Sequence, residues 1–325
     1  MKPKGLGEFG RIHRLFAPLA GPGSLGLTDD AALVDCPPGR RLVVTVDQAV
    51  EGVHFRPDDP PDFVAKKLLR RNLSDLAAMG ASPRAYLVAS ALPKSRDDEW
   101  VRRFSEGLGE DQRRFGVTLL GGDSTSTPGP IALTLTAIGE VAEGGEIRRA
   151  GAQPGDRVWV SGTIGDAFLG LKVLRGGYAQ LAPEHRAALV ARFQLPDPRT
   201  ELGPRLAGVA RAMIDVSDGL LADLGHICEV SRVSAEVELD QLPLSPAARA
   251  VVDLDSAQHK LLATGGDDYE LLFTAPPEAG AEIANLAHSL GLPITEIGAI
   301  AAGEGVRLLD GGKPLAIKTA GWRHF

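Results

Sequence analysis

Residues 41–47, Arg-Leu-Val-Val-Thr-Val-Asp, form a β-branched run that stops at an aspartate, the pattern of a buried strand delivering a carboxylate at its C-terminal end. Short apolar runs bounded by Gly, Pro, Ser or Asp predict further strands at 86–91, 117–120, 131–138, 157–160 and 212–216. The 117–120 run is expected to end before Gly121-Gly122-Asp123. Between these runs, 61–79 has the clearest helical period. Val64, Leu68, Asn72, Asp75 with Leu76, and Met79 recur along one stripe, so two polar residues share an apolar face. Residues 97–115, 165–175, 183–193 and 219–228 read as further helices. Strands and helices alternate without strict βαβ regularity, which predicts an α+β arrangement of two layers rather than a doubly wound sheet.

A length of 325 residues fits about two domains. The Gly/Pro turn Gly151-Ala-Gln-Pro-Gly-Asp156 predicts a boundary between 1–150 and 151–325. A short echo links Asn72-Leu-Ser-Asp75 with Asp215-Val-Ser-Asp218, and Gly-Gly-Asp123 with Gly-Gly-Asp267. It is too short to establish a duplicated fold.

Composition narrows the function. With 44% hydrophobic and 24% charged residues, the chain is an ordinary globular protein rather than a collagen-like or disordered one. A formal net charge of −7 denies it the cationic field that nucleic-acid binding needs. Cys36 and Cys228 lie far apart in no C-x-x-C pattern, arguing against disulfide or thiolate-zinc chemistry and for a reducing compartment. No uncharged apolar run approaches the ~18 residues of a spanning helix, and Met1-Lys-Pro-Lys-Gly5 lacks a secretion signal's apolar stretch. The expectation is a cytoplasmic protein without membrane contact.

Two G-x-G-x-x-G matches, beginning at Gly5 and Gly21, follow no predicted strand, and no P-loop is present. What recurs is aspartate at structural punctuation: Asp29-Asp30, Asp47, Asp75, Asp123, Asp215-x-x-Asp218 and Asp267-Asp268. Hard divalent cations take such oxygen ligands, and phosphoryl transfer needs metals that bridge nucleotide oxygens. Carboxylates converging on one cleft would otherwise repel one another. The competing role for any single aspartate is a turn or helix cap. Asp75 and Asn72 resist that role best, because a helix's apolar stripe is a poor place for an unpaired polar group. Asp98, Asp111 and Asp58-Asp59 read as solvated surface. His54 is the one histidine near the acidic residues, although a lone histidine is more often structural. Ser161-Gly-Thr-Ile-Gly-Asp166 is either an anion cradle at a helix start or a tight turn capped by Asp166.

Taken in order, the motifs resemble the thiamine-monophosphate kinase family, within the superfamily of aminoimidazole ribonucleotide synthetase and selenide water dikinase. The resemblance runs through Gly7-Glu-Phe, Asp29-Asp30-Ala-Ala, Asp47-x-x-x-x-Gly-Val-His-Phe55, Asn72-Leu-Ser-Asp-Leu-Ala-Ala-Met-Gly80 and Gly121-Gly-Asp123. It continues through Arg149-x-Gly-Ala-x-Pro-Gly-Asp156, Met213-Ile-Asp-Val-Ser-Asp-Gly-Leu220, Gly-Gly-Asp-Asp-Tyr-Glu-Leu271 and Gly321-Trp322.

The resemblance implies a two-domain PurM-like α+β fold. Its N-terminal mixed sheet with helices would bind ATP and Mg²⁺ and pair in a homodimer, and its C-terminal α/β sandwich would add metal and substrate contacts. It implies ATP-dependent phosphorylation of thiamine monophosphate to thiamine diphosphate, with several Mg²⁺ ions. Asp30, Thr45, Val46 through its carbonyl, Asp47, Asp75, Asp123, Asp215 and Asp218 would be metal ligands. Asp75, Asp47 and Asp123 would carry the catalysis. Gly122, Asp123, Arg149 and Ser217 would meet ATP, and His54, Asp267 and Trp322 the acceptor. The family usually has glutamate where this chain has Asp267, and a hydroxyl residue where it has Val46. The alternatives are another ATP-using synthetase of the superfamily or a non-catalytic nucleotide-binding subunit.

Overall fold

The computed structural model describes residues 6–29, 31–316 and 321. It divides into two compact units, one of residues up to 76 together with 81–144, the other of 77–80 and 145 onward.

The first unit opens with a short helix, α1 (Gly7–Arg11), and contains β1 (Arg40–Val50), α2 (Pro61–Ala78), β2 (Ser82–Pro93), α3 (Asp98–Phe115), β3 (Thr118–Thr127) and β4 (Ala132–Ala142). Its four strands lie in the order β1-β4-β2-β3. β2 and β3 run parallel and are joined through α3, while the other pairs are antiparallel, so the sheet is mixed. The N-cap of α3 is Asp97, whose Oδ1 accepts from the Trp100 amide at 2.9 Å. Left-handed Gly116, φ 68°, ends the helix. Leu68, Leu69, Leu73, Leu76, Phe104 and Leu108 on the helices close over Tyr86, Leu133 and Leu135 on the strands. Period-two alternation leaves the other sheet face partly open, with Val44 and Val46 60% and 61% exposed.

Two aspartates depart from the surface role expected of them. Asp111 is 2% exposed and accepts both forks of the Arg70 guanidinium, at 2.7 and 2.8 Å. Asp98 is half-buried between the Leu6 amide, 2.6 Å, and Arg11 Nε, 2.7 Å. A solitary Asp on a helix looks solvated in sequence, and only the distant arginine reveals otherwise.

The second unit holds β5 (Arg157–Ser161), α4 (Asp166–Leu174), α5 (Pro183–Gln194), β6 (Ala212–Asp215), α6 (Leu220–Ser231), β7 (Ser234–Glu238), α7 (Pro246–Leu254) and α8 (His259–Leu262). β8 (Leu271–Ala275), α9 (Gly280–Leu290), β9 (Ile294–Ala301), β10 (Gly305–Asp310) and β11 (Lys313–Pro314) follow. The strands form one sheet, ordered β11-β10-β7-β9-β5-β8-β6. One face, with Val158, Val160, Ile214 and Leu272, packs on Leu220, Leu224 and Ile227 of α6. The other, with Met213, Leu271 and Phe273, packs on Ile283 and Leu286 of α9. This is the sandwich expected, with α4, α5, α7 and α8 sharing a further cluster around Leu169, Leu189 and Val251.

The internal echo has no structural counterpart. Asn72–Asp75 lies within α2, whereas Asp215–Asp218 runs off the end of β6, and the two Gly-Gly-Asp motifs sit in a strand and in a loop.

Candidate active site

In the first unit the site is built by α2 lying along β1. Thr45 Oγ1 donates to Asp75 Oδ2 at 2.7 Å, and Arg71 Nη2 stands 3.2 Å from Asp47 Oδ2. Four residues on a helix advance ~6 Å and two on a strand ~6.7 Å. Arg71/Asp75 and Asp47/Thr45 therefore match as two facing pairs. Both acids are half-buried, so each depends on its partner to offset lost hydration. Val46 stands between them on the strand, and its side chain lies on the exposed face. Only its backbone carbonyl is available to a metal.

Gly121, Gly122 and Asp123 lie within β3 rather than after it, because parallel pairing continues from Gly121 opposite Leu87 to Thr127 opposite Pro93. Asp123 is exposed, and its Oδ1 accepts from the Ser124 amide at 2.9 Å. These residues line a cavity of about 1030 Å³ that also touches Arg11, Trp100 and Phe104. A Cβ on Gly122 would stand 1.9 Å from the Val88 carbonyl oxygen, but one on Gly121 would meet nothing nearer than Leu87 at 3.8 Å. Gly122→Ala is therefore expected to cost about 1–3 kcal/mol, while Gly121→Ala is tolerated. Thermal unfolding compares the two. Equal damage from both would overturn the steric account.

His54 follows β1 in a tight turn, where its Nδ1 accepts from the Val50 amide at 3.1 Å. The neutral ring then carries its proton on Nε2.

In the second unit β6 ends on Asp215, 3% exposed. The amides of Ser217, Asp218 and Gly219 all donate to Asp223 Oδ2, at 3.0, 3.1 and 3.1 Å. Burial, with Asp218 beside it, pushes the Asp223 carboxyl up to about 7 against the pull of those amides. Asp267 and Ser217 are tied through backbone, Asp267 N to Ser217 O at 2.8 Å. Arg149 is exposed at the start of this unit, and Arg148 pairs with Glu146 at 2.6 Å.

The amides at the Ser161–Asp166 turn and the start of α4 are taken by a carboxyl group of the chain itself. Asp268, fully buried, accepts from the amides of Gly165 and Ala167 at 2.7 and 3.2 Å, and burial raises its carboxyl well above the usual range. Asp166 is not the cap; it accepts from Thr163 and Ser245. The starts of α4 and α6 are thus both met by side-chain carboxyl groups.

Asp30 and Trp322 lie outside the described residues. Sequence reasoning missed Arg71, Asp223, Asp268 and Tyr269. The spacing of Arg71 to Asp75 was a usable signal for the first, and Asp223 and Tyr269 meet partners nearby in sequence, but Asp268 reaches Gly165 across 103 residues, which no local pattern reveals.

Among the described residues, no group of three or more His, Cys, Asp or Glu is gathered so as to hold a metal unaided. The side chains of Thr45, Asp47, Asp75 and Asp123 nevertheless offer only hard oxygens. That set suits magnesium, which keeps waters and substrate phosphates in its shell.

A two-unit architecture of this kind defines a class. Residues 28–141 match the family described as AIR synthase related protein, N-terminal domain, and 153–311 its C-terminal domain. Within it, thiamine-monophosphate kinase of Caulobacter vibrioides is 42% identical over 98% of this chain and 90% of its own. That of Haemophilus influenzae is 41% identical over 98% of each. The chain belongs to the thiamine-monophosphate kinase family. The crystal structure of the enzyme from Stenotrophomonas maltophilia superposes with a TM-score of 0.82 at 42% identity, covering 89% of this chain and 91% of that one. A structure described as AaThiL complexed with AMPPCP and TMP gives 0.79 at 31% identity, over 100% and 99%.

Proposed function

We propose that the chain transfers the γ-phosphoryl group of ATP to the phosphate of thiamine monophosphate, giving thiamine diphosphate and ADP, by direct in-line displacement. The observation that supports this reading is the facing of β1 and α2, where Thr45 meets Asp75 and Asp47 meets Arg71. It does so in a chain whose named relatives align over 98% of its length.

Within the first unit Thr45, the Val46 carbonyl, Asp47, Asp75 and Asp123, with Asp30, would hold Mg²⁺; within the second, Asp215 and Asp218 would be metal ligands. Bound there, magnesium supplies neutralisation of the charge on the nucleotide's phosphate oxygens. Gly122, Asp123, Arg149 and Ser217 meet the nucleotide. His54, Asp267 and Trp322 hold the acceptor, the indole face suiting its cationic thiazolium. An acceptor phosphate is already anionic at neutral pH, so these residues orient and screen rather than remove a proton.

The open sheet face carrying Val44 and Val46 is offered to a second copy in a homodimer. Both thiols are free, Cys36 exposed and Cys228 buried, which suits the reducing cytoplasm. No described helix is long and apolar enough to cross a membrane.

A coupled ADP-release assay tests the activity. Turnover is expected with thiamine monophosphate and Mg²⁺ and is lost with excess EDTA. Equal or faster turnover with thiamine or an aminoimidazole ribonucleotide precursor would reassign the acceptor.

A further inference from the structure

The loop between α8 and β8, Gly265-Gly-Asp-Asp-Tyr-Glu270, is held from several sides. A Cβ on Gly266 would stand 2.3 Å from the Ser217 carbonyl oxygen, so the loop backbone lies directly on the turn that follows β6. Tyr269 N bonds Val216 O, and Val216 N bonds Glu270 O, both at 2.8 Å. The carboxylates of Asp268 and Glu270 point inward. Asp268 takes the two amides at the start of α4, and Glu270, 0% exposed, is held by Ser161, Arg192 and Arg199.

Asp267 and Tyr269, between these anchors, are both left-handed, at φ 72° and 52°. Residues with side chains rarely adopt this conformation, and they persist in it only where the surroundings over-determine it. Tyr269 is 3% exposed, and its hydroxyl donates to Asp267 Oδ1 at 2.9 Å. The two strained residues thus meet through their side chains.

We infer that Tyr269 is a positioning residue: its hydroxyl locks the Asp267 carboxylate in the orientation that receives thiamine monophosphate. The inference rests on the reading of Asp267 as an acceptor contact. Aspartate has one side-chain torsion fewer than the glutamate usual in the family. With its backbone pinned to Ser217 and one oxygen taken by the phenol, little rotamer freedom remains to be lost when the ligand binds. The hydroxyl also favours the ionised carboxylate through a charge-assisted bond. Such pre-organisation acts on acceptor binding and leaves the nucleotide alone.

Tyr269→Phe keeps the buried ring and removes only the donor, so the fold is expected to survive, which thermal unfolding verifies. The KM for thiamine monophosphate should rise about tenfold, with the KM for ATP within twofold of the parent and kcat little changed. Asp267→Asn should raise the same KM, and Tyr269→Phe added to Asp267→Asn should cost much less than in the parent background. If Asp267→Asn raises the KM while Tyr269→Phe does not, the positioning role is overturned and the acceptor contact stands. Proportional loss of both substrates' KM values in Tyr269→Phe would mark a merely structural tyrosine. An unchanged KM in Asp267→Asn would overturn the acceptor contact, and the inference with it.

Discussion

Asp75→Ala should reduce kcat for ADP formation by at least about a thousandfold while the protein stays folded. The acid is half-buried on α2 and accepts from the Thr45 hydroxyl. Losing that neutral contact costs stability about 0.5–1.5 kcal/mol. If Asp75 helps to hold Mg²⁺ on the phosphates, its removal forfeits transition-state stabilisation of the size seen when a key electrostatic donor is deleted, about 3–4 kcal/mol. The measurement is steady-state kinetics beside a thermal melt. A variant that melts like the parent and turns over within tenfold of it would falsify the assignment. A large fall in melting temperature would instead show that Asp75 is held for packing.

The largest stability effect is expected from Asp111→Ala. Both members of the Arg70–Asp111 pair are buried, 7% and 2% exposed at the side chain, and the guanidinium also lies 5.6 Å from the centre of the Phe115 ring. Truncating the acid leaves a positive charge with little water and its two strongest bonds gone. The expected loss is about 3–5 kcal/mol in urea unfolding. Replacing both partners, Arg70→Met with Asp111→Leu, should recover most of it, because an apolar pair of similar volume carries no desolvation penalty. A loss under about 1 kcal/mol for Asp111→Ala would mean that Arg70 finds water or another acceptor. Activity is not expected to follow stability here, since neither residue belongs to the assigned metal or substrate contacts.

These two aspartates show where sequence reading succeeds and where it stops. Asp75 stood out because a helical stripe of Val64, Leu68 and Leu76 should not contain an acid without a purpose, and the facing strand supplies one. Asp111 had no such signature. Its helix α3 is rich in charge, and the partner that buries it sits 41 residues earlier. The same limit applies to Asp268. The turn beginning Ser161-Gly-Thr reads either as an anion cradle or as a turn capped by Asp166, and what its amides bind is the Asp268 carboxyl, over 100 residues away in sequence. Strand β3 ran further than expected because its glycines, poor strand formers alone, are carried by parallel pairing with β2.

From the sequence by itself came the strands and helices with strong periods, the mixed α+β character and the acidic punctuation, because hydrophobic spacing and turn chemistry are local. Tertiary structure decided which partner each carboxylate meets. Thr45 and Arg71 face Asp75 and Asp47, whereas Asp111, Asp223 and Asp268 are consumed by an arginine and by helix-start amides. The difference between them is desolvation and the partner each acid meets, and both depend on where distant segments of chain come to rest.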